Sequence, residues 1–186
     1  MKLTVRQMTL IALNAAVISV LAPIAIPLAG QVPISLATLA VMISAAVFGK
    51  WTGAAASALY IVLGILGMPV FAGFSSGAAV AFGLSGGYIF GYIALAYFTG
   101  LFAEKAADHT GRELYALLIA GMVIGTVVLY AIGTVWFMKF TGMTLAASLG
   151  ACVFPFIPGD CIKMAVVCLL YGRLKPLASK VLKEKR

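Results

Sequence analysis

The chain has 186 residues, of which 63% are hydrophobic and only 10% charged, and its mean hydropathy is +1.13. Soluble domains carry about 25% charged residues, so this composition excludes an ordinary soluble domain and indicates an integral membrane protein. The net charge of +8 does not indicate a nucleic-acid partner, because six of the thirteen cations lie in the tail that follows the last apolar run. A basic tail in that place is typical of the cytoplasmic side of a membrane protein, where it also meets anionic lipid.

Six apolar segments follow one another along the chain, and each is predicted to be a membrane helix. They cover residues 5–22, 34–48, 53–66, 86–102, 114–137 and 157–171. The second and third are short for a full crossing, which leaves tilt, local thinning of the membrane and partial insertion open. The start of the chain resembles a signal peptide, but no polar domain follows it, and we expect a first membrane helix there. Residues 1–186 are thus predicted to form a single transmembrane domain, a compact all-α bundle of six helices.

Positive charge is distributed unequally between the two sets of connections. Eleven cations belong to the N-terminus, to the loops after the second and fourth segments, and to the tail: Lys2, Arg6, Lys50, Lys105, Arg112, Arg173, Lys175, Lys180, Lys183, Lys185 and Arg186. The opposite loops carry only Lys139. Since positively charged loops stay inside, both termini are predicted to be cytoplasmic. The outer connections, 23–33, 67–85 and 138–158, are rich in Gly, Pro and aromatic residues, and we expect them to form a lid over a ligand pocket.

Asp160 and Lys163 are the one opposite-charge pair inside an apolar segment. Their spacing of three residues places them on the same face of a helix, and Pro158 and Gly159 predict that this helix begins close to Asp160. Two interpretations follow from the residues. The pair either forms a mutual salt bridge that holds the last helix, or contacts a polar ligand group, with the Asp as acceptor and the Lys as donor.

Other candidate ligand contacts lie in the outer connections. Phe71 and Phe74 occupy a long apolar loop, and their rings pack either on the bundle or on a ligand. Tyr88, at the outer end of the fourth segment, offers a ring and a hydroxyl group. The glycine-rich stretch before it lacks the Lys of a phosphate-binding loop, and the chain has no Walker motif, so it is not expected to hydrolyse ATP. Neither a metal site nor a cofactor is predicted.

Pairs of small residues recur at a spacing of four, which lets helix backbones approach closely. They are Ala12/Ala16, Gly53/Ser57, Gly83/Gly87/Gly91 and Gly121/Gly125. Packing within the bundle explains all of them. For Ala12/Ala16, near the cytoplasmic end of the first helix, contact with another membrane protein is the alternative.

Four motifs occur in a fixed order: VPISLATLAV at 32–41, GMPVFAGF at 67–74, SGGYIFGY at 85–92 and PFIPGDCIK at 155–163. In order and spacing they resemble the BioY family, the biotin-binding S components of energy-coupling factor (ECF) transporters. The resemblance covers nearly the whole chain. Family members often have Thr and Gln where this chain has Ser35 and Ala37, and Gly-Pro-Thr where it has Gly83-Leu84-Ser85.

The resemblance implies a six-helix subunit of a bacterial cell membrane that captures biotin from outside with high affinity. The substrate-binding residues would be Asp160, Lys163, Tyr88, Phe74, Phe71 and Ser85. The partners would be a transmembrane coupling subunit, facing Ala12 and Ala16, and two cytoplasmic ATPases that hydrolyse ATP. The alternatives are an S component for another small vitamin, and a membrane enzyme or assembly factor whose Asp160/Lys163 pair is purely structural.

Overall fold

The computed structural model describes residues 4–27 and 32–183, with side chains described as far as residue 176. The described part contains eight α-helices: α1 (Val5–Leu21), α2 (Ala37–Phe48), α3 (Lys50–Ile65), α4 (Ala78–Ala81), α5 (Gly86–Ala106), α6 (Gly111–Thr141), α7 (Leu145–Cys152) and α8 (Ile157–Lys183). The predictions made for Lys2, Lys185 and Arg186, and for the side chains of Lys180 and Lys183, lie outside what is described.

Each of the six apolar segments contains a helix, as predicted, and these helices are α1, α2, α3, α5, α6 and α8. The second helix begins at Ala37 and not at Ile34, because Ile34–Ser35 pair as a strand. Three features of the connections after α1, α3 and α6 were not predicted. The connection after α1 contains an antiparallel hairpin of two-residue strands, β1 (Ala25–Ile26) and β2 (Ile34–Ser35), so the fold is not purely helical. The connection after α3 contains a 3₁₀ turn (Ala72–Phe74) and the one-turn α4, and the connection after α6 contains α7. These elements are too short for a periodic pattern to reveal them.

Helices α5 and α6 are each long and apolar enough to cross a membrane. Helix α7 and residues 157–176 together make a third candidate span, which is bent by 49° where the two pieces meet. Helices α1, α2 and α3 are apolar but have only 17, 12 and 16 residues. At 1.5 Å per residue they are shorter than a hydrocarbon core of about 30 Å. By length and composition the described residues thus form two spans, or three if the bent pair is one span, and six crossings stay a prediction.

Helix α5 is central, because it packs against α6, α3 and α2, while α8 packs on α2 and α1 on α3. Small residues make the close contacts. A Cβ atom added at Gly53 would lie 2.7 Å from Ala45 of α2, and one at Gly121 would overlap Phe102 of α5. These two stripes of small residues therefore serve packing inside the bundle.

Charged side chains gather at the end of the bundle where α2 ends and α3 begins. Lys50 forms an ion pair of 2.9 Å with Glu104, which also accepts a hydrogen bond from the Lys50 backbone N–H. From α8, Lys175 donates to the carbonyl oxygen of Val47 at 3.3 Å. The sequence predicts this end to be cytoplasmic, and Asp160 lies at the opposite end of α8.

Candidate functional site

Helix α8 begins at Ile157, and Asp160 lies in its first turn, as predicted. Pro158 is tolerated there because the first N–H groups of a helix have no partner within the helix. The backbone N–H of Asp160 donates to the carbonyl oxygen of Phe156 at 2.8 Å. The turn between α7 and α8 thus fixes the backbone that carries the acidic side chain.

Lys163 and Asp160 form a buried ion pair, with Nζ 2.9 Å from Oδ1 and residue exposures of 8% and 4%. The ammonium group also donates to the carbonyl oxygen of Ser35 at 2.8 Å and to Oγ1 of Thr38 at 2.9 Å. An ammonium group has three N–H donors, and these three acceptors use all of them. Lys163 therefore ties α8 to the hairpin and to the first turn of α2.

The Asp160 carboxylate is held through both oxygens. Oδ1 accepts from Lys163 and, at 3.4 Å, from the hydroxyl of Thr38. Oδ2 accepts from the hydroxyl of Tyr130 at 2.5 Å. A carboxylate offers about four acceptor positions, so these described contacts leave one position at Oδ2 for a further donor.

Two adjoining cavities lie beside this cluster, at the end of α8 that carries Asp160, and residues of the hairpin form part of their walls. The first holds about 330 Å³ of atom-free space, counting its open mouth, and the second about 400 Å³. Five residues line both: Val32, Pro33, Ser35, Tyr88 and Tyr92. Asp160 and Lys163 line the first cavity, and Phe71 and Ser85 line the second. Mostly apolar cavities with a few convergent polar groups are the usual form of a small-molecule site.

Aromatic rings wall the cavities. Tyr60 packs edge-on against Phe71, with ring centres 5.6 Å apart, and lies 6.3 Å from Tyr92. Tyr88 packs edge-on against Phe156 at 6.0 Å. The hydroxyl of Tyr88 donates to the carbonyl oxygen of Cys152 at 3.0 Å, which satisfies its polar end.

Two glycines make room for these rings. A Cβ atom added at Gly64 would overlap the ring of Phe71, and one at Gly133 would lie 2.5 Å from the ring of Tyr88. Only a residue without a side chain allows the aromatic ring to approach the helix so closely. Both rings are therefore held in one place by the backbone behind them.

The structure brings together five of the six predicted binding residues: Asp160, Lys163, Tyr88, Phe71 and Ser85. Phe74 is not among the cavity-lining residues, and its side chain is 70% exposed. Its φ of +59° belongs to the left-handed region, and the neighbouring Gly73 N–H donates to the carbonyl oxygen of Pro23. This backbone places the ring of Phe74 on the outer surface of the connection, so its contact with a ligand stays a prediction.

Several residues of the site were not predicted from the sequence, among them residues that contact Asp160 or line both cavities. Thr38 and Tyr130 bind Asp160, and Tyr92 lines both cavities. Tyr92 follows Tyr88 by one helical turn, a spacing that places both on one face and is readable from the sequence. The only sequence signal for Thr38 is a hydroxyl group within a mostly apolar helix, which is a weak indication of a binding-site residue.

The small residues Ala12 and Ala16 are exposed on α1, next to exposed apolar side chains such as Met8, Leu13 and Val20. They differ in this from Gly53 and Gly121, which lie inside the bundle. Contact of the Ala12/Ala16 face with another membrane protein stays a prediction.

Comparisons with known proteins support one family. A sequence model of the BioY family matches residues 1–180. The chain belongs to the BioY family. The biotin transporter BioY of Thermotoga maritima is 40% identical over 172 residues, which are 92% of this chain and 97% of that protein. The biotin transporter BioY of Rhodobacter capsulatus is 37% identical over 89% of this chain and 90% of its own length.

A solved structure agrees with this BioY assignment. The crystal structure of an S component for biotin from an ECF-type ABC transporter matches with a TM-score of 0.83 and 28% identity, over 94% of this chain and 95% of that one. The resemblance inferred from the four motifs is thereby confirmed. The helical arrangement described above is that of an ECF S component.

Proposed function

We propose that this BioY chain is the biotin-specific S component of an ECF-type ABC transporter and mediates biotin uptake across a bacterial cell membrane. The observation that carries the proposal is a buried ion pair, Asp160–Lys163, that lines a cavity in a chain matching biotin transporters over nearly its full length. Ionisable groups at membrane depth are costly and usually serve a substrate. Biotin is a ligand here, and no cofactor is required.

The ureido group of biotin suits the polar end of the first cavity. One ureido N–H donates to the open acceptor position at Oδ2 of Asp160. The adjacent ureido oxygen accepts from Lys163, in exchange for one of its present partners, the Ser35 carbonyl or the Thr38 hydroxyl. A carboxylate in the same place would face the negative charge of Asp160, so we assign the carboxylate of biotin to the other end of the ligand.

The rest of the ligand extends into the second cavity. Phe71 and Tyr88 supply apolar walls for the ring sulfur and the aliphatic chain, and Ser85 lines the same space. Its neutral hydroxyl donor is an adequate partner for a carboxylate that remains close to the outer water. The hydroxyl of Ser75, which also lines this cavity, already donates to the carbonyl oxygen of Ala72 at 2.8 Å. Phe74 completes the lid when the outer connections close on biotin.

Six crossings, by α1, α2, α3, α5, α6 and α8, place both termini in the cytoplasm and Asp160 near the outer face. The charged cluster of Lys50, Glu104 and Lys175 lies at the opposite end, as the distribution of positive charge requires. The exposed Ala12/Ala16 face of α1 then meets the transmembrane coupling subunit, and two cytoplasmic ATPases supply the ATP hydrolysis for which this chain has no motif.

One observation favours a second candidate. All three donors of Lys163 already have partners, so the ion pair is complete without a ligand. In that alternative the pair only clamps α8 to α2, and the cavities take another small vitamin.

Equilibrium binding of radiolabelled biotin to the purified full chain separates the two candidates. We expect saturable, one-to-one binding that unlabelled biotin displaces and that riboflavin or thiamine does not. Binding displaced by one of the other vitamins, or no binding of biotin, would support the second candidate.

A further inference from the structure

We propose that Tyr130 is a positioning residue of the biotin site. Its hydroxyl group fixes the orientation of the Asp160 carboxylate. This inference rests on the function proposed above. Tyr130 donates to Oδ2 of Asp160 at 2.5 Å, and it is not among the residues that line either cavity. It acts on the ligand through Asp160, while its neighbour Leu129 lines the first cavity directly.

The two oxygens of Asp160 have different partners. Oδ1 is held by Lys163, from the same helix, and by Thr38. Held at one oxygen only, a carboxylate can still turn about its Cβ–Cγ bond, because that torsion is broad. The Tyr130 hydroxyl holds the second oxygen and so sets the plane of the carboxylate.

Phe156 contacts both Tyr130 and Asp160, through its ring and its backbone respectively. The ring centre of Tyr130 lies 6.4 Å from that of Phe156. The carbonyl oxygen of Phe156 accepts the backbone N–H of Asp160, so the residue that carries the carboxylate and the ring that orients it both contact the same residue. Helix α6 contributes the tyrosine and α8 the aspartate, and the hydrogen bond joins two helices that otherwise pack against each other sparsely.

The described contacts leave one acceptor position, and it lies on the oxygen that Tyr130 holds. A ligand group that donates an N–H fits this position. A ligand group that can only accept, or a nitrogen that carries a methyl group instead of hydrogen, leaves the carboxylate unpaired at a buried position, which is costly. Tyr130 therefore contributes to selection for a donating ureido nitrogen, because it keeps this position aimed into the cavity.

Tyr130→Phe in the full chain tests the proposal, with Tyr115→Phe as the matched control. Both tyrosines belong to α6, and Tyr115 lies far from Asp160, next to Gly172. A hydrogen bond to a charged group supports an expected loss of about tenfold or more in biotin affinity for Tyr130→Phe, against less than about twofold for Tyr115→Phe. The preference for biotin over an analogue methylated at the ureido nitrogens should also fall in Tyr130→Phe and remain in Tyr115→Phe.

That preference distinguishes positioning from a general loss of folding, which weakens both ligands alike. A second measurement applies even if Tyr130→Phe does not fold. With 3-fluorotyrosine at position 130, which keeps the hydroxyl group, the ¹⁹F resonance should shift when biotin binds and when Asp160→Asn is introduced. The same label at position 115 should show neither shift.

Wild-type protein that binds biotin, together with unchanged affinity and preference in Tyr130→Phe, would overturn the role of Tyr130 alone. A ¹⁹F resonance at position 130 that does not shift when biotin binds would also overturn the role of Tyr130. Wild-type protein that does not bind biotin would instead overturn the proposed function, and the role of Tyr130 with it.

Discussion

Helix α8 is joined to α2 by a lysine at each end, and the two ends differ in how deeply their charged side chains are buried. At the N-terminal end of α8 Lys163 is buried, has three hydrogen-bond partners and adjoins a cavity. At the other end Lys175 is half-buried and donates to one carbonyl oxygen, and the neighbouring Lys50–Glu104 pair has side chains that are 23% and 41% exposed. An exposed ion pair contributes about 0–1 kcal/mol, whereas breaking a buried one costs about 3–5 kcal/mol. A charge kept where it is costly, beside a cavity, is the reason for placing the proposed biotin site at this end of α8.

Replacing Lys163 should have the largest effect. Lys163→Met leaves the Asp160 carboxylate buried without its counter-charge, and we expect a loss of about 3–5 kcal/mol in stability together with loss of biotin binding. Thermal unfolding in detergent and a biotin-binding assay measure the two effects. Lys175→Met is the control and should change stability by less than about 1 kcal/mol.

The double replacement Asp160→Asn with Lys163→Met sharpens this comparison. It should recover most of the stability, because no unpaired charge remains, and it should still fail to bind biotin. Recovery of binding in the double variant would show that the pair is a clamp and that the two ends of α8 differ only in burial.

Gly64→Ala should have the next largest effect on stability and on biotin binding. The added methyl group overlaps the ring of Phe71 at the wall of the second cavity, and such overpacking costs about 1–3 kcal/mol. Biotin affinity should fall as well, since Phe71 has to move. Gly150→Ala in α7 is the matched control, because a Cβ atom there meets nothing within 4 Å. Equal effects of the two substitutions would mean that the position of Phe71 does not matter for binding.

Phe74→Ala should leave stability within about 0.5 kcal/mol, since its ring is already 70% exposed. If the ring closes over biotin, affinity should fall by about fivefold, close to 1 kcal/mol, through faster dissociation. Dissociation of radiolabelled biotin measures this directly. Phe140→Ala, an exposed phenylalanine at the end of α6, is the control, and a dissociation rate unchanged from wild type would remove Phe74 from the site.

The smallest effect is expected for the partly exposed ion pair between Lys50 and Glu104. Glu104→Gln removes the ion pair with Lys50 but keeps an oxygen that can accept from the Lys50 N–H. We expect a change in stability below about 1 kcal/mol and unchanged biotin affinity. The measurements are those used for Lys163→Met. A larger loss here than at Lys163 would reverse the comparison between the two ends.

The same contrast explains what the sequence could predict. The helices in the six apolar segments could be predicted because long apolar runs favour helices in a membrane protein, whereas the number that cross the membrane stays a prediction. Asp160 and Lys163 were readable because opposite charges within an apolar run stand out. Thr38 was not, because its partner Asp160 lies 122 residues further along the chain and only the fold brings them together.

Phe71 and Phe74 show the limit in another way. They lie in the same apolar loop, and their chemistry is identical. The structure buries one against Gly64 and exposes the other through a positive φ. Backbone conformation in an irregular loop decides this difference, and residue types alone do not predict it. Tyr130 is a similar case. It and Tyr115 both lie on α6 and both face α8, and only the fold places Tyr130 beside Asp160 and Tyr115 beside Gly172.

The most direct test of the proposed biotin site is equilibrium binding of radiolabelled biotin to purified wild-type protein and to Asp160→Asn. Asn keeps the size of the side chain but removes its negative charge. It also replaces one of the two acceptor oxygens, to which we assign the ureido N–H, with an NH₂ group that can only donate. We expect saturable binding by the wild type and an affinity at least about tenfold weaker in Asp160→Asn. Because Asn leaves Lys163 buried without its counter-charge, thermal unfolding in detergent confirms that the variant is folded at the temperature of the binding measurement. Affinities within about twofold of each other would contradict the assignment of Asp160 to the biotin site.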